Sequence, residues 1–198
     1  MKTKLFMIMA TSLVALFGCS NSGTSSSDTT EKDLQVQESV EETVEEVSVP
    51  LTTEELNKSL SEQYQIDVTI SEEIKTDDSN IEEVIEVMIE NLQLAGEENL
   101  VEYMKTNVNE IAVIQENIDS TKALFDNYDI EYELLAIDIQ ELSDEHAIVT
   151  VTQQSVSTYV AEGYLYDDNI ATATHTLKKE DGTYKFEATN LDNVEFIN

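Results

Sequence analysis

The sequence contains no Arg and no Trp, one Cys, one Pro and two His. Each shortage closes a class of function. Without Arg there is no planar fork for bidentate contact with phosphate or guanine. The 42 acids against 10 Lys give a net charge of −32, which repels a phosphate backbone, so nucleic acid is not an expected partner. One Cys excludes an intrachain disulfide and a multi-Cys zinc site. His146 and His175, far apart in the chain, leave little for a His-based metal centre and argue for no triad. No Gly-x-Ser-x-Gly elbow occurs. No catalytic residue, cofactor or bound metal is expected.

Hydrophobic residues are concentrated first at the N-terminus. Met1 to Lys4 is a short basic segment, and Leu5 to Phe17 is apolar apart from Thr11 and Ser12. Those 13 residues are too few to cross about 30 Å of hydrocarbon as a helix. They suit the apolar stretch of a signal peptide. Leu16-Phe17-Gly18-Cys19 follows and resembles the bacterial lipobox, with an aliphatic residue at −3, a small one at −1 and the only Cys at +1. Phe17 at −2 departs from the usual choice. The resemblance implies a signal peptide over 1–18, cleavage after Gly18, and acylation of Cys19, with the protein anchored on the extracytoplasmic face of the cell membrane. Two or more acyl chains hold a protein stably on a bilayer where one does not. An ordinary secretory signal with a Cys near its end is the alternative.

Residues 19–50 read as a tether. Ser20 to Thr30 holds only polar and glycine residues and has nothing apolar to bury, and Glu31 to Pro50 adds seven acids that read as a solvated acidic linker; the expectation is disorder. Val36, Val40, Val44 and Val47 fall at helical spacing, which leaves a transient helix or docking segment open. As a flexible coil the tether spans about 30 Å. Without its leader the chain would carry 42 acids against 8 Lys, a net charge of −34.

Residues 51–198 read as the folded domain. Thr52 with Glu55 has the capping-box spacing and opens a short helix ending near Tyr64. Ile66, Val68 and Ile70 alternate as in a strand. Ser79 with Glu82 is a second capping box. It precedes Ile81, Val84, Ile85, Met88, Ile89 and Leu92, the stripe of a core-facing helix, and Gly96 offers a left-handed stop. Helices are also predicted over Asn99–Met104 and Asn107–Phe125. After Asp126 the period changes to two. Ile130, Tyr132 and Leu134 share one phase; Leu135, Ile137 and Ile139 share the other, a slip that predicts a bulge and a bend. Ser143-Asp144-Glu145 reads as a turn. Strands follow over His146–Val156 and Ile170–Lys178, then Asp181-Gly182 marks a tight hairpin into Thr183–Thr189. Helices first and an antiparallel meander second give an α+β domain, with helices on one face of a curved sheet.

Residues 79–189 resemble the nuclear transport factor 2-like superfamily, the cone-shaped α+β fold of ketosteroid isomerases and polyketide cyclases. The resemblance is carried by the long helix from Ile81, Phe125-Asp126-Asn127-Tyr128, the strand around Ile137-Asp138, His146 to Val151, and Leu177 to Phe186. Tyr184 stands where the family usually has Trp. A cystatin-like helix-on-sheet domain is the rival. The resemblance implies a pocket at the mouth of the cone.

Few residues offer chemistry for such a pocket. His175 shares a strand face with Ala171, Ala173 and Leu177 and is the one candidate ligand-pocket residue, although a lone His on an apolar face is more often structural. His146 and Asp138 are expected at the surface. Asp77-Asp78, Asp144-Glu145 and Asp167-Asp168-Asn169 are oxygen-rich, yet none follows EF-hand spacing. Tyr159, Tyr164 and Tyr166 suit either a partner surface or a sheet cover. The reading that follows is a lipid-anchored, non-enzymatic module that binds a small apolar ligand or an envelope protein. An isomerase- or cyclase-type enzyme, a structural envelope component and homodimerisation stay open.

Overall fold

The computed structural model describes residues 51–76 and 78–197. The leader, Cys19 and the acidic tether lie outside the described residues. Thr52 caps α1 (Thr53–Tyr64) as expected: its Oγ1 accepts from the Glu55 amide at 3.3 Å and Glu55 Oε2 accepts from the Thr52 amide at 3.0 Å. Strand β1 (Asp67–Ile70) follows, and Ser61 of α1 accepts the Val68 amide at 2.9 Å, satisfying a group on the open edge of the sheet.

Helix α2 (Asn80–Gly96) buries Ile81, Val84, Ile85 and Met88, the predicted stripe. Its start and stop differ from expectation. Ser79 already has helical angles and its hydroxyl makes no cap bond; Asp78 Oδ1 instead accepts the Asn80 amide at 2.9 Å. The left-handed residue is Glu98, at φ 54°, whereas the backbone at Gly96 is not left-handed. Helix α3 (Leu100–Lys105) takes its cap from Asn99. The single helix predicted over Asn107–Phe125 is two: α4 (Asn109–Ala112) and α5 (Gln115–Asn127), broken where Ile114 is extended at ψ 116°. The segment ahead of α4 serves the sheet instead. The Phe186 amide donates to the Thr106 carbonyl at 2.8 Å and the Val108 amide donates to the Phe186 carbonyl at 3.0 Å.

The sheet has the order β1-β2-β3-β4-β5, with β2 (Tyr128–Leu142), β3 (His146–Val160), β4 (Asn169–Glu180) and β5 (Thr183–Phe196). Only β1 pairs parallel; the others form an antiparallel meander. The predicted slip is present as a register shift between Leu134 and Ala136, which keeps Tyr132 and Leu134 on the same face as Ile137 and Ile139. Further shifts beside Ala173 and Leu177 lie where β4 meets β5, and such bulges bend a sheet. The α+β architecture with helices ahead of a curved, mostly antiparallel sheet is therefore the one observed.

Two apolar clusters fill the space between helices and sheet. One joins α1 and α2 to β1 and to the Ser143 end of the meander, through Val84, Ile85, Ile139, Val149 and Leu177. The other joins α3 and α5 to the first half of β2 through Tyr103, Leu124, Phe125, Tyr128 and Ile130. No helix among the described residues is long and apolar enough to cross a membrane.

Candidate functional site

The face of the sheet turned toward the helices is not evenly covered. Helix α2 lies over β2 and the start of β5, and α5 meets the start of β2. There Val149 and Leu177 are fully buried. Cross-strand pairing carries the same face onward to Gln153, Ala171, Ala173, Thr189, Leu191 and Val194, and all six are only half-buried. Val151, opposite Ala173 on the same face, is 3 % exposed. The six make up the less covered stretch of the inner face along β3, β4 and β5, called the trough below; two of them are alanines, and none of them is charged.

His175 stands at the inner end of this trough. It is 9 % exposed and lies opposite Val149, so its ring points to the helix side. Nδ1 is 2.8 Å from Thr189 Oγ1, and the Phe186 ring meets the imidazole edge-on at 5.1 Å. Nε2 has no hydrogen-bond partner among the described residues. Burial pushes the imidazole down to about 4, against an opposing pull from Asp192, so the ring is neutral at pH 7. A neutral imidazole offers one donor and one acceptor, and Thr189 engages one of them.

The far end of the same face is rich in phenols. Tyr132 pairs across the strands with Ser155, which is 3 % exposed. The Tyr166 hydroxyl accepts from Asn169 Nδ2 at 3.4 Å. Tyr103 packs edge-to-face on Phe125 at 5.7 Å. Burial raises the phenols of Tyr103, Tyr132 and Tyr166, with Tyr166, Tyr103 and Glu98 adding to the rise at Tyr132. All three remain O–H donors at neutral pH. The tyrosines named from the sequence divide between two places: Tyr166 joins the apolar interior, whereas Tyr159 is 53 % exposed.

Other sequence candidates have structural partners. His146 is exposed, with Nδ1 2.8 Å from Ser143 Oγ in the β2–β3 turn. Asp138 lies on the outer face between Thr69 and Thr150 and accepts from Gln140 Nε2 at 3.3 Å. Asp78 and Asp144 meet over Asn80, whose Nδ2 donates to both, at 2.9 and 3.2 Å; Lys179 supplies the cation there. Asp168 Oδ1 accepts the Ser157 amide at 2.9 Å and so ties the loop before β4. Asp77 and Cys19 lie outside the described residues. Among the described residues no group of three or more His, Cys, Asp or Glu is placed to hold a metal ion.

The trough itself was half legible. Alternation placed Ala171, Ala173 and His175 together; no pattern announced that Thr189 holds the imidazole or that Gln153 and Val194 border it. Residues 83–197 match the family described as the anti-sigma-I factor RsgI9, C-terminal domain. The chain belongs to this family. The RsgI9 C-terminal-domain match runs from α2 to the end of β5, so it contains the whole trough and both ends of the site. Among solved structures, the chain is similar to a scytalone dehydratase-like protein from Novosphingobium aromaticivorans, with 13 % identity and a TM-score of 0.48 over 60 % of this chain and 88 % of that one. Comparison with curated proteins found no match.

Proposed function

We propose that this protein is a lipid-anchored, extracytoplasmic binding module of the cell envelope, tied to the membrane through Cys19 and presenting its α+β domain on the 19–50 tether. The observation that carries the binding part is His175: a neutral imidazole, held at one nitrogen by Thr189 and unpaired at the other among the described residues, next to the half-buried stretch of the inner sheet face. That is a reading group for a ligand. Its hydrogen-bond partner Thr189 is a hydroxyl, and Asp192, the carboxylate whose charge reaches it, accepts from Thr174 Oγ1 and Asn190 Nδ2 rather than from the imidazole. An isomerase would need a carboxylate or equivalent base opposite the phenols. The family's name supports a regulatory setting: the domain would serve as the outward-facing part of an anti-sigma-type system, reporting occupancy.

The test is native mass spectrometry on the full chain, released from membranes in detergent. A mass excess that disappears on denaturation supports a filled site and identifies the ligand. A clean mass together with a stable protein neighbour found by cross-linking in cells would move the reading to partner binding. Turnover of a small carbonyl substrate by the same preparation would overturn the non-enzymatic assignment.

A further inference from the structure

The end of the domain where β2 begins and β3 ends has a surface that the reading of His175 does not use. Four of the seven large apolar side chains exposed among the described residues gather there: Tyr159 at the end of β3, Tyr164 and Leu165 in the loop 161–168, and Phe196 at the end of β5. The loop joins them. The Ala161 amide donates to the Asn127 carbonyl at 2.9 Å, and the Asp168 carbonyl accepts the Ile197 amide at 2.9 Å. Between these ties the Tyr164 amide closes a turn onto the Ala161 carbonyl at 3.1 Å, and Gly163, at φ 93°, supplies its left-handed position. The Tyr164 ring rests edge-on against buried Tyr128 at 5.7 Å. A fixed loop thus holds the apolar groups out to solvent, and covering them costs little ordering entropy. Single apolar side chains are ordinary on a surface; a group of them at one end marks an interaction site.

The charge around this surface is of one sign. No Lys occurs between Lys122 and Lys178 or after Lys185, and Lys122 is paired with Asp126. Glu162 and Asp167 of the loop, Asp129 opposite Tyr159, and Glu195 beside Phe196 are all exposed. Burial and the charges of Asp129 and Asp126 hold the Glu98 carboxyl above the usual range, as crowded carboxylates do. This field selects the occupant. A second copy of the chain would set acid against acid. So would the tether, with seven acids from Glu31 to Pro50, and so would an anionic bilayer. A cationic partner gains from the field that repels these three.

We propose that this end of the domain docks a basic, apolar segment of another protein. The apolar side chains of that segment cover Tyr164, Leu165 and their neighbours, and its Lys or Arg side chains meet Glu162 and Asp167 at the rim. Tyr suits such a surface, because its ring is apolar while its hydroxyl stays wet.

The full chain, held in nanodiscs of phosphatidylcholine, is titrated with a short fluorescent peptide of alternating lysine and leucine, with empty nanodiscs as background. Two peptides of the same length are compared with it. Alternating lysine and serine keeps the charge without the apolar side chains; alternating glutamate and leucine keeps the apolar side chains and reverses the charge. The expected result is saturable binding of the Lys/Leu peptide that weakens with salt, and binding of the other two weaker by about tenfold or more. Tyr159→Ser combined with Leu165→Ser should weaken Lys/Leu binding about tenfold at unchanged net charge. Both side chains are exposed, so the variant keeps the fold. Leu165→Ser alone serves should the pair lower the thermal midpoint. Val113→Ser removes another exposed side chain beside α4, whose Asn109 amide is tied to Glu180 at the last hairpin, and should leave binding unchanged.

Equal binding of the Lys/Ser peptide would reduce the effect to diffuse charge and overturn the proposal. So would Lys/Leu binding that the patch variant leaves intact, or no Lys/Leu binding at all. Attachment to phosphatidylcholine vesicles, or self-association, that is lost in the patch variant would assign the surface to lipid or to a second copy and overturn it as well. None of these outcomes touches the ligand reading of His175, which native mass spectrometry decides separately.

Discussion

Nζ of Lys179 lies 2.8 Å from Oε2 of Glu83, joining the end of β4 to the first turn of α2. The same ammonium donates to Asn80 Oδ1 at 2.9 Å and sits 4.7 Å from the centre of the Tyr184 ring. Glu83 in turn accepts the Tyr184 amide at 3.2 Å, and the Tyr184 hydroxyl donates to the Ser143 carbonyl. One cation thus fastens the helix, the β2–β3 turn and the last hairpin. Burial and the charges of Glu83, Asp78 and Asp144 push the Tyr184 phenol up to about 12, so it stays a donor.

Lys179→Met should lower stability by about 1–2 kcal/mol, because it leaves Glu83 Oε2 and Asn80 Oδ1 without the ammonium donor in a site only partly screened by water. The urea midpoint measures this. A double-mutant cycle with Glu83→Gln should show coupling between the two residues, and strict additivity would mean that the pair contributes nothing of its own.

The turn of that hairpin gives a second prediction. Asp181 and Gly182 both have positive φ, at 56° and 85°. A two-residue turn of this hand matches the twist of the strands it joins. Gly182→Val should cost about 1–2 kcal/mol, since a β-branched side chain is strained in the left-handed region. Asp181→Gly should be close to neutral. A thermal midpoint for Gly182→Val equal to the wild type would show that the turn tolerates another geometry.

Much of this fold was readable because single physical signals were unopposed. The Ile81 to Leu92 stripe had to face a core, and the phase slip after Leu134 had to become a bulge or expose Ile137 and Ile139. Signals failed where two competed. The sequence predicts a helix that includes Asn107 and Val108, yet this segment serves the Phe186 edge, and Ile114 breaks the remainder. Strand β5 runs to Phe196, past the predicted end at Thr189, because its two register shifts scramble the alternation there. The cap at α2 came from Asp78 because Ser79 was already helical. For the site, alternation could place His175 on a face; which parts of that face the helices cover is tertiary information.

Membrane attachment is tested through the lone cysteine. Cys19→Ala should release the protein from the membrane fraction or leave an unprocessed precursor, read by fractionation and by the mobility shift that acylation causes. Normal processing with unchanged retention would remove the lipid anchor from the assignment and leave an ordinary leader or a further attachment.

His175 also makes a prediction about pH, and its sign is fixed by burial. Its imidazole titrates near 4 in the fold, below the 6.5 of an unburied histidine. Between those values the unfolded chain binds a proton that the folded chain refuses, so stability falls as pH falls. The contribution is complete above pH 6.5 and is lost on descending toward pH 4, a change of about 3 kcal/mol. The carboxylates of an acid-rich chain titrate in the same range, so the wild-type profile alone is ambiguous. His175→Gln keeps a hydrogen bond to Thr189 within reach and removes the titration. The stability difference between wild type and variant should therefore drop by about 3 kcal/mol from pH 7 to pH 4 when measured by urea unfolding. A flat difference would mean that the imidazole takes up its proton freely in the folded state. The inner face of β4 would then be open to water, and the neutral reading group on which the binding proposal depends would not exist.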